Sequence, residues 1–311
     1  MLGRLYYQLH RALRGGPRAA LARSLLQPKL LRSSPLPTAP GAAAHPAELH
    51  LLVCHADWLD GLWALRSFIA AHPHLIFPLA LHDDGTLPPQ AHEAFGKLFP
   101  SLRIITRAAA DTALSAALAG HPRCLQLRST NPFSLKLFDI PILASTPRVI
   151  VIDADILFFH PCTDLVDSAA NLATPTRWNK DWRHGYTLTP EQLKPHINFP
   201  VVDLINSGLG TFVTASVDLD RIESWLAIPG ITDHPYLGRV EQTLVALAAC
   251  HHGFEFLPPP YDVHMSPRTS PAAPCRHYTG DVRPRLQAEG LPRLRHLLWP
   301  RPQISATKSL S

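Results

Sequence analysis

With 311 residues, 46% of them hydrophobic, and no apolar run of the about 20 residues that span a membrane, the chain has room for one large domain or two modest ones and no transmembrane helix. Its formal net charge of +5 is local: residues 1–47 carry six Arg and one Lys without an acid, and subtracting those seven leaves −2 for residues 48–311, which gives no argument for a nucleic-acid-binding face. Five widely spaced cysteines, an odd count with no CxxC pair, argue against a disulfide framework and for a reducing compartment, the cytoplasm.

The chain begins with a basic arm. Leu2, Leu5, Tyr6, Leu9 and Leu13 share one helical face among Arg4, Arg11 and Arg14. Gly15-Gly16-Pro17 breaks that helix, and a second basic helix is expected to follow to Leu31. Residues 33–47, rich in Ser, Pro and Ala, form a linker. Three uses of the arm stay open: packing on the domain, peripheral contact of residues 1–31 with an anionic membrane surface, or an organelle transit segment.

From residue 48 the pattern alternates. Strands are expected at Leu49 to Cys54, Leu75 to Leu81, Leu102 to Thr106 and Arg148 to Ile152. Helices are expected at Leu59 to Ala71, Pro88 to Leu98, Asp111 to Ala119 and Pro132 to Leu143. This predicts an α/β fold with a mostly parallel sheet. Beyond it the pattern becomes mixed. Two short strands, Val201 to Ile205 and Leu209 to Val213, flank an Asn206-Ser207-Gly208 turn. Helices at Val217 to Leu226 and Val240 to His251, a strand at Phe254 to Leu257, and a final helix at Arg285 to Leu298 complete the reading. The segment Arg177 to His184 reads as a polar, aromatic loop suited to sugar rings or to a lid.

Arg148-Val-Ile-Val-Ile-Asp153-Ala-Asp155 carries the chemistry. Four β-branched residues form a buried strand, and two carboxylates follow at its carboxyl end, where open α/β sheets bind ligands. At i and i+2 both side chains point the same way. Two hard oxygen ligands suit Mg²⁺ or Mn²⁺ and, through the cation, a phosphate.

Four stretches in order now resemble the nucleotide-sugar glycosyltransferases of the GT-A fold, most closely glycosyltransferase family 8. They are Ser134-Leu-Lys136-Leu with Asp153-Ala-Asp155; Asn206-Ser207-Gly208; Glu241-Gln242; and His277-Tyr-Thr-Gly280-Asp-Val-Arg283-Pro284. The resemblance implies a GT-A domain over residues 48–285, with a Rossmann-like sheet and a smaller mixed acceptor side, between the arm (1–47) and a C-terminal helix and tail (286–311). It implies transfer from a nucleotide sugar, UDP-linked, with retention of configuration, and a carbohydrate, lipid-linked or protein acceptor. It implies Mn²⁺, with Mg²⁺ the alternative, on Asp153, Asp155 and His277. It assigns the diphosphate to Arg283 and Gly280, donor contacts to Lys136, the reacting sugar to Asn206, and hydroxyl positioning to Glu241 and Gln242. Asp57, Trp58 and Asp84, at the ends of the first two strands, are the candidates for the nucleoside; Trp58 suits the core equally well, and Asp83-Asp84-Gly85 a turn.

This sequence departs from the family at three points: Ser134 stands for an arginine, Arg283 for a lysine and Arg285 for a tryptophan, which marks a distant branch. Two other functions compete. A phosphohydrolase with a strand-end DxD would carry Thr or Val where Leu157 stands, and would place the motif near the domain start. A non-catalytic sugar-nucleotide-binding protein of the same fold is the other.

Overall fold

The structure, a computed structural model, describes residues 2–299, with side chains from residue 16 onward except that of His296. Helix α1 (Leu2–Arg32) is two helices joined at Gly16, whose φ of 63° leaves the helical region where the break was expected. Ala19, Ala22 and Leu30 are buried, whereas Leu21 and Leu25 are exposed.

A regular alternation follows: β1 (Glu48–Val53), α2 (Trp58–Ala71), β2 (Leu79–Asp83), α3 (Pro89–Leu98), β3 (Leu102–Ile105), α4 (Arg107–Leu118), α5 (Pro122–Thr130), α6 (Leu135–Leu143) and β4 (Arg148–Asp153). The second half holds β5 (Ile156–Phe158), α7 (Thr163–Ala170), β6 (Thr176–Lys180), β7 (Ile205–Val213), α8 (Leu219–Trp225), α9 (Leu237–His252), β8 (Phe254–Phe256), β9 (Cys275–His277) and α10 (Leu291–Leu298). Seven strands form one sheet in the order β8-β6-β7-β4-β1-β2-β3. β4, β1, β2 and β3 run parallel, β7 is antiparallel to both β4 and β6, and β8 is parallel to β6.

The apolar run of β4 divides its residues by the two-residue period of a strand. Ile150 and Ile152 enter a core with Leu62 and Phe68 of α2, Phe95 of α3, Leu165 of α7 and Leu294 of α10; Leu30 of α1 belongs to it. Val149 and Val151 enter the opposite core, with Leu114 of α4, Phe138 of α6 and Leu244 of α9. Burial on both faces accounts for a strand with no polar alternation. Arg148, fully buried at its start, donates to the carbonyls of Asn171, Thr174 and Pro175 and to Thr211 Oγ1, which anchors the strand.

Several elements differ from the sequence expectation. Asn206-Ser207-Gly208 is not a turn between two strands: it lies inside the single strand β7, and residues 201–204 lie outside the strand. Its pairing to β4 starts only at Leu209, and its pairing to β6 jumps from Asn206 opposite Asn179 to Gly210 opposite Trp178, so Ser207 and Gly208 lie in a bulge of the strand. Gly210 sits under the Trp178 ring, so here glycine marks close approach rather than a bend. The loop expected at Arg177 to His184 is half strand. Trp178 is buried 5.8 Å from Phe212, and outward Arg177 pairs with Glu255 on the neighbouring strand (2.6 Å). The strand expected from Leu75 is interrupted: Leu75–Ile76 pairs with Ala43–Ala44, and β2 starts after Pro78, which has no N–H for a ladder. The last helix opens with a π-helical turn at Leu286–Gly290. Strands β5 and β9 and helices α5 and α7 have no counterpart in the sequence expectation. The five cysteines are free thiols, three of them buried. Among the described residues no helix is long and apolar enough to cross a membrane.

Candidate active site

Asp153 ends β4, and Asp155 lies in the turn that reverses the chain into β5. β5 pairs antiparallel with β9, with Ile156 opposite His277, and the Tyr278 N–H donates to the Asp155 carbonyl (2.9 Å). Two strands thus carry three ligand-type side chains to one point. Their ligand atoms lie within 4.8 Å of one another. His277 Nε2 is 3.1 Å from Asp155 Oδ1 and 3.8 Å from Asp153 Oδ2. Burial opposes the charge on Asp155, but Arg283 and His277 outweigh it and hold its carboxyl well below the usual carboxylate range. Burial likewise opposes protonation of His277, and the two aspartates raise it above the ordinary imidazole value.

Gly208 of β7 closes this point from the side. A Cβ there would come within 2.8 Å of Asp153 Oδ2 and would strike His277. The absence of that one carbon leaves room among two carboxylates and an imidazole, a donor set that fits a divalent cation of the Mn²⁺ kind.

The second group centres on Lys136. Helix α6 brings its Nζ to 3.0 Å from Asp153 Oδ1, 3.3 Å from the Ser207 carbonyl and 3.6 Å from Glu241 Oε1. Burial works against the ammonium, and the two carboxylates reverse that, so Lys136 stays firmly charged. Glu241, in the first turn and a half of α9, is buried and accepts from Ser207 Oγ (2.8 Å). Burial, with the charge of Asp153, pushes its carboxyl up to about 7 against the pull of Lys136.

The third group is organised by Asp181, just past β6. Its Oδ2 accepts from Asn206 Nδ2 (3.0 Å) and Gln242 Nε2 (3.3 Å), and its Oδ1 from the Trp182 N–H (2.8 Å). Asn206 Oδ1 in turn accepts from the Gly208 N–H (3.0 Å). The Asp181 N–H donates to the carbonyl of Leu204 (2.6 Å), a leucine held at φ 67°. A non-glycine residue in the left-handed region is strained, and such strain is found beside functional sites. Asp181 was missed as a site residue; its place one residue past a strand was hidden when the strand read as loop.

Arg283 lies beside the Asp153, Asp155 and His277 group, 3.3 Å from Asp155 Oδ2, and reaches Asp57 Oδ1 at 2.8 Å. It therefore links the first βα turn to the DxD. Gly280 opens the 3₁₀ turn before it with φ 56°, and nothing approaches its missing Cβ; the backbone angle, not crowding, requires glycine. Asp57 is thereby gathered to the site. Trp58, half-buried, packs on the α2-side core, and Asp84 accepts from the N–H and hydroxyl of Thr86 (2.9 and 2.6 Å) in a turn at Gly85. Neither Trp58 nor Asp84 lines the main cleft. Ser134 is buried and donates to the Asn131 carbonyl (2.6 Å).

The cleft holds about 390 Å³. Asp153, His277, Lys136, Glu241, Asn206 and Gln242 line its floor, and Gly280 its edge. Residues Trp182 to Gly185, Phe133, Tyr236 and Arg239 form its walls. The half of the expected loop beyond Lys180 thus does face the cleft.

The architecture and site define a class: the chain has the fold of the GT-A glycosyltransferases. Mouse xyloside xylosyltransferase 1, in its apo form, matches with a TM-score of 0.50 over 76% of this chain and 97% of its own, at 14% identity. The galactosyltransferase LgtC, in complex with donor and acceptor sugar analogs, matches with a TM-score of 0.53 over 81% and 95%, at 16% identity. No protein-family model matches the sequence, and a search of curated proteins finds no match.

Proposed function

We propose that the chain is a glycosyltransferase, a distant relative of family 8, which moves a sugar from a UDP-linked donor to an acceptor with retention of configuration. The observation that supports this most is the convergence of Asp153, Asp155 and His277 beneath a polar cleft, with Arg283 on Asp155. Those three residues would hold Mn²⁺, or Mg²⁺ in its place, and the cation would supply charge neutralisation at the departing diphosphate. Arg283 grips the same diphosphate with a planar fork, and Gly280 brings backbone close to it. Asp57 holds Arg283 toward the nucleoside side, where Trp58 and Asp84 are the remaining nucleoside candidates. Lys136 keeps Asp153 in place and offers an ammonium to donor oxygens. Asn206 and Gln242, oriented by Asp181, position sugar hydroxyls. Glu241 acts less on substrate than on Lys136 and Ser207, given its burial. In the front-face course of retaining transfer, the leaving phosphate oxygen takes the acceptor proton, which asks no protein group to be the nucleophile.

Residues 48–285 form the catalytic unit in this reading, with the arm (1–47) and the tail (286–311) as additions to it. Exposed Leu21 and Leu25 beside Arg18 and Arg23 support a peripheral contact with an anionic membrane surface from the cytoplasm. The test of function is a screen of UDP- and GDP-sugars with Mn²⁺, reading nucleotide release. UDP release that disappears in Asp155→Ala and in His277→Ala is the expected result. UDP binding without turnover on any donor and acceptor would instead favour a sugar-nucleotide-binding protein, and release of inorganic phosphate from phosphomonoesters a phosphohydrolase.

A further inference from the structure

The walls of the cleft carry two arginines whose charge the fold does not use. Arg183 follows β6 and Arg239 lies in the first turn of α9; both line the cleft, and neither pairs with a carboxylate among the described residues. The other cations there are committed. Lys136 is taken by Asp153 and Glu241, His277 by the two aspartates, and His184 by Asp203 at 2.9 Å. Asp181, the acid nearest in sequence to Arg183, already accepts three hydrogen bonds on its two oxygens.

Arg183 stacks on an exposed aromatic ring, and the backbone N–H of Arg239 donates to the carbonyl of Tyr236 (3.1 Å), whose ring is exposed. The Arg183 guanidinium lies 4.5 Å from the centroid of the Trp182 ring, which is 46% exposed. Stacking occupies the flat face and leaves the N–H edge for a ligand. Arg239 is preceded by Tyr236, 58% exposed, with its ring 5.9 Å from that of Phe133. An apolar ring face next to a planar donor fork matches one chemistry well: a pyranose that carries an anionic oxygen pair.

We propose that Arg183 and Arg239 form an anion subsite for the acceptor, so that the preferred acceptor is a saccharide bearing a carboxylate or a phosphate. The proposal rests on the glycosyltransferase reading. It concerns the cleft walls rather than the cation point, where Arg283 and the aspartates receive the donor. A bidentate arginine contact to an anion is of the strength that changes affinity about tenfold or more.

The experiment uses the full chain with Mn²⁺ and the UDP-sugar it turns over, and reads UDP release and transfer product. Acceptors are supplied as matched sets: a neutral disaccharide, the same disaccharide ending in a uronic acid, and its phosphorylated form. The expected result is a kcat/KM about tenfold higher for an acidic member than for the neutral one. That ratio collapses in Arg183→Gln and in Arg239→Gln and recovers in part with Lys at either position. The uronic and phosphorylated arms show which anion is preferred. Because the readout is a ratio within each variant, a loss of overall fold lowers both terms and leaves it unmoved. UDP release that ignores every acidic saccharide, or an acidic preference that survives in both Gln variants, overturns the subsite while leaving the glycosyltransferase reading intact. No UDP release from any donor overturns both.

Discussion

Two buried carboxylates, Glu48 and Glu241, show how differently one fold can treat the same group. Glu48, at the start of β1, sits 2% exposed between two layers of donors. It accepts from Arg103 (2.9 Å) and the Ser145 N–H (2.7 Å), and His50 Nε2 lies at 3.1 Å. Burial opposes its ionisation, but these donors win and hold it far below the usual range. Glu241 is equally buried, but it has one hydroxyl and a share of Lys136, which Asp153 also claims. Its carboxyl is pushed up to about 7. The fully satisfied cluster is a fastener. The under-satisfied one lies beside the cleft, where a group able to gain or lose a proton near neutral pH has a use.

The largest effect that would break this comparison concerns Glu48. Glu48→Gln strips a buried charge from partners that remain, and should cost about 3–5 kcal/mol in urea unfolding. A loss below about 1 kcal/mol would show the cluster to be ornamental. Lys136→Met should lower donor turnover by about 100-fold, the scale of losing one preorganised charge at a reacting centre. Near-normal turnover would remove Lys136 from the site.

Protonation sharpens the contrast because the signs oppose. His50 and His82, 2.9 Å apart beneath Glu48, have depressed imidazole values, chiefly from burial. Below about pH 6.5 the unfolded chain binds protons that the native pair refuses, so stability falls as the pH drops. His82→Leu should flatten that slope in melts between pH 7 and pH 5. Glu241 titrates the other way. Between the ordinary 4.5 and about 7 the native form holds a proton that the unfolded form has lost, so this group's contribution falls as the pH rises. Glu241→Gln should therefore be more favourable, relative to the parent, at pH 8 than at pH 5; a pH-independent difference would contradict the raised value. The smallest effect concerns Leu204: relief of its left-handed backbone in Leu204→Gly should leave the melting temperature unchanged or raise it by the equivalent of about 1 kcal/mol, and Leu204→Ile should lower it.

The parallel half of the fold was legible because its signals are strong and local. Val149 to Ile152 has a composition that only a doubly buried strand requires, and the DxD stands at its end. His277 was reachable only through the resemblance, because its spacing to Gly280 and Arg283 matches the family's motif; the structure places it with Asp153 and Asp155. The mixed half was not, because its residues answer to partners far along the chain. Asn206-Ser207-Gly208 reads locally as a turn, yet Asn206 pairs with Asn179 of β6 and the residues from Leu209 onward pair with β4, which carries the strand through it as a bulge. Arg177 to Lys180 reads as loop until Glu255 and Phe212 supply its cross-strand partners. Asp181 inherits that difficulty, since its role depends on where β6 ends. Helix α5 gave no periodic signal because only Cys124, Leu127 and Arg128 are buried along it.

The ladder between β5 and β9 has a thermodynamic consequence. Asp155 and His277 are 122 positions apart (277 minus 155). A cation shared by them would be a cross-link closing a loop of more than a third of the chain. Such a clip would belong to the native state alone, and at a hundred times its dissociation constant it would add about 2.7 kcal/mol to unfolding. The melting temperature then becomes a binding assay in its own right: titrating Mn²⁺ without any sugar should raise it in the parent chain and not in His277→Ala, and the rise would measure how firmly the C-terminal strand is tied to the DxD turn.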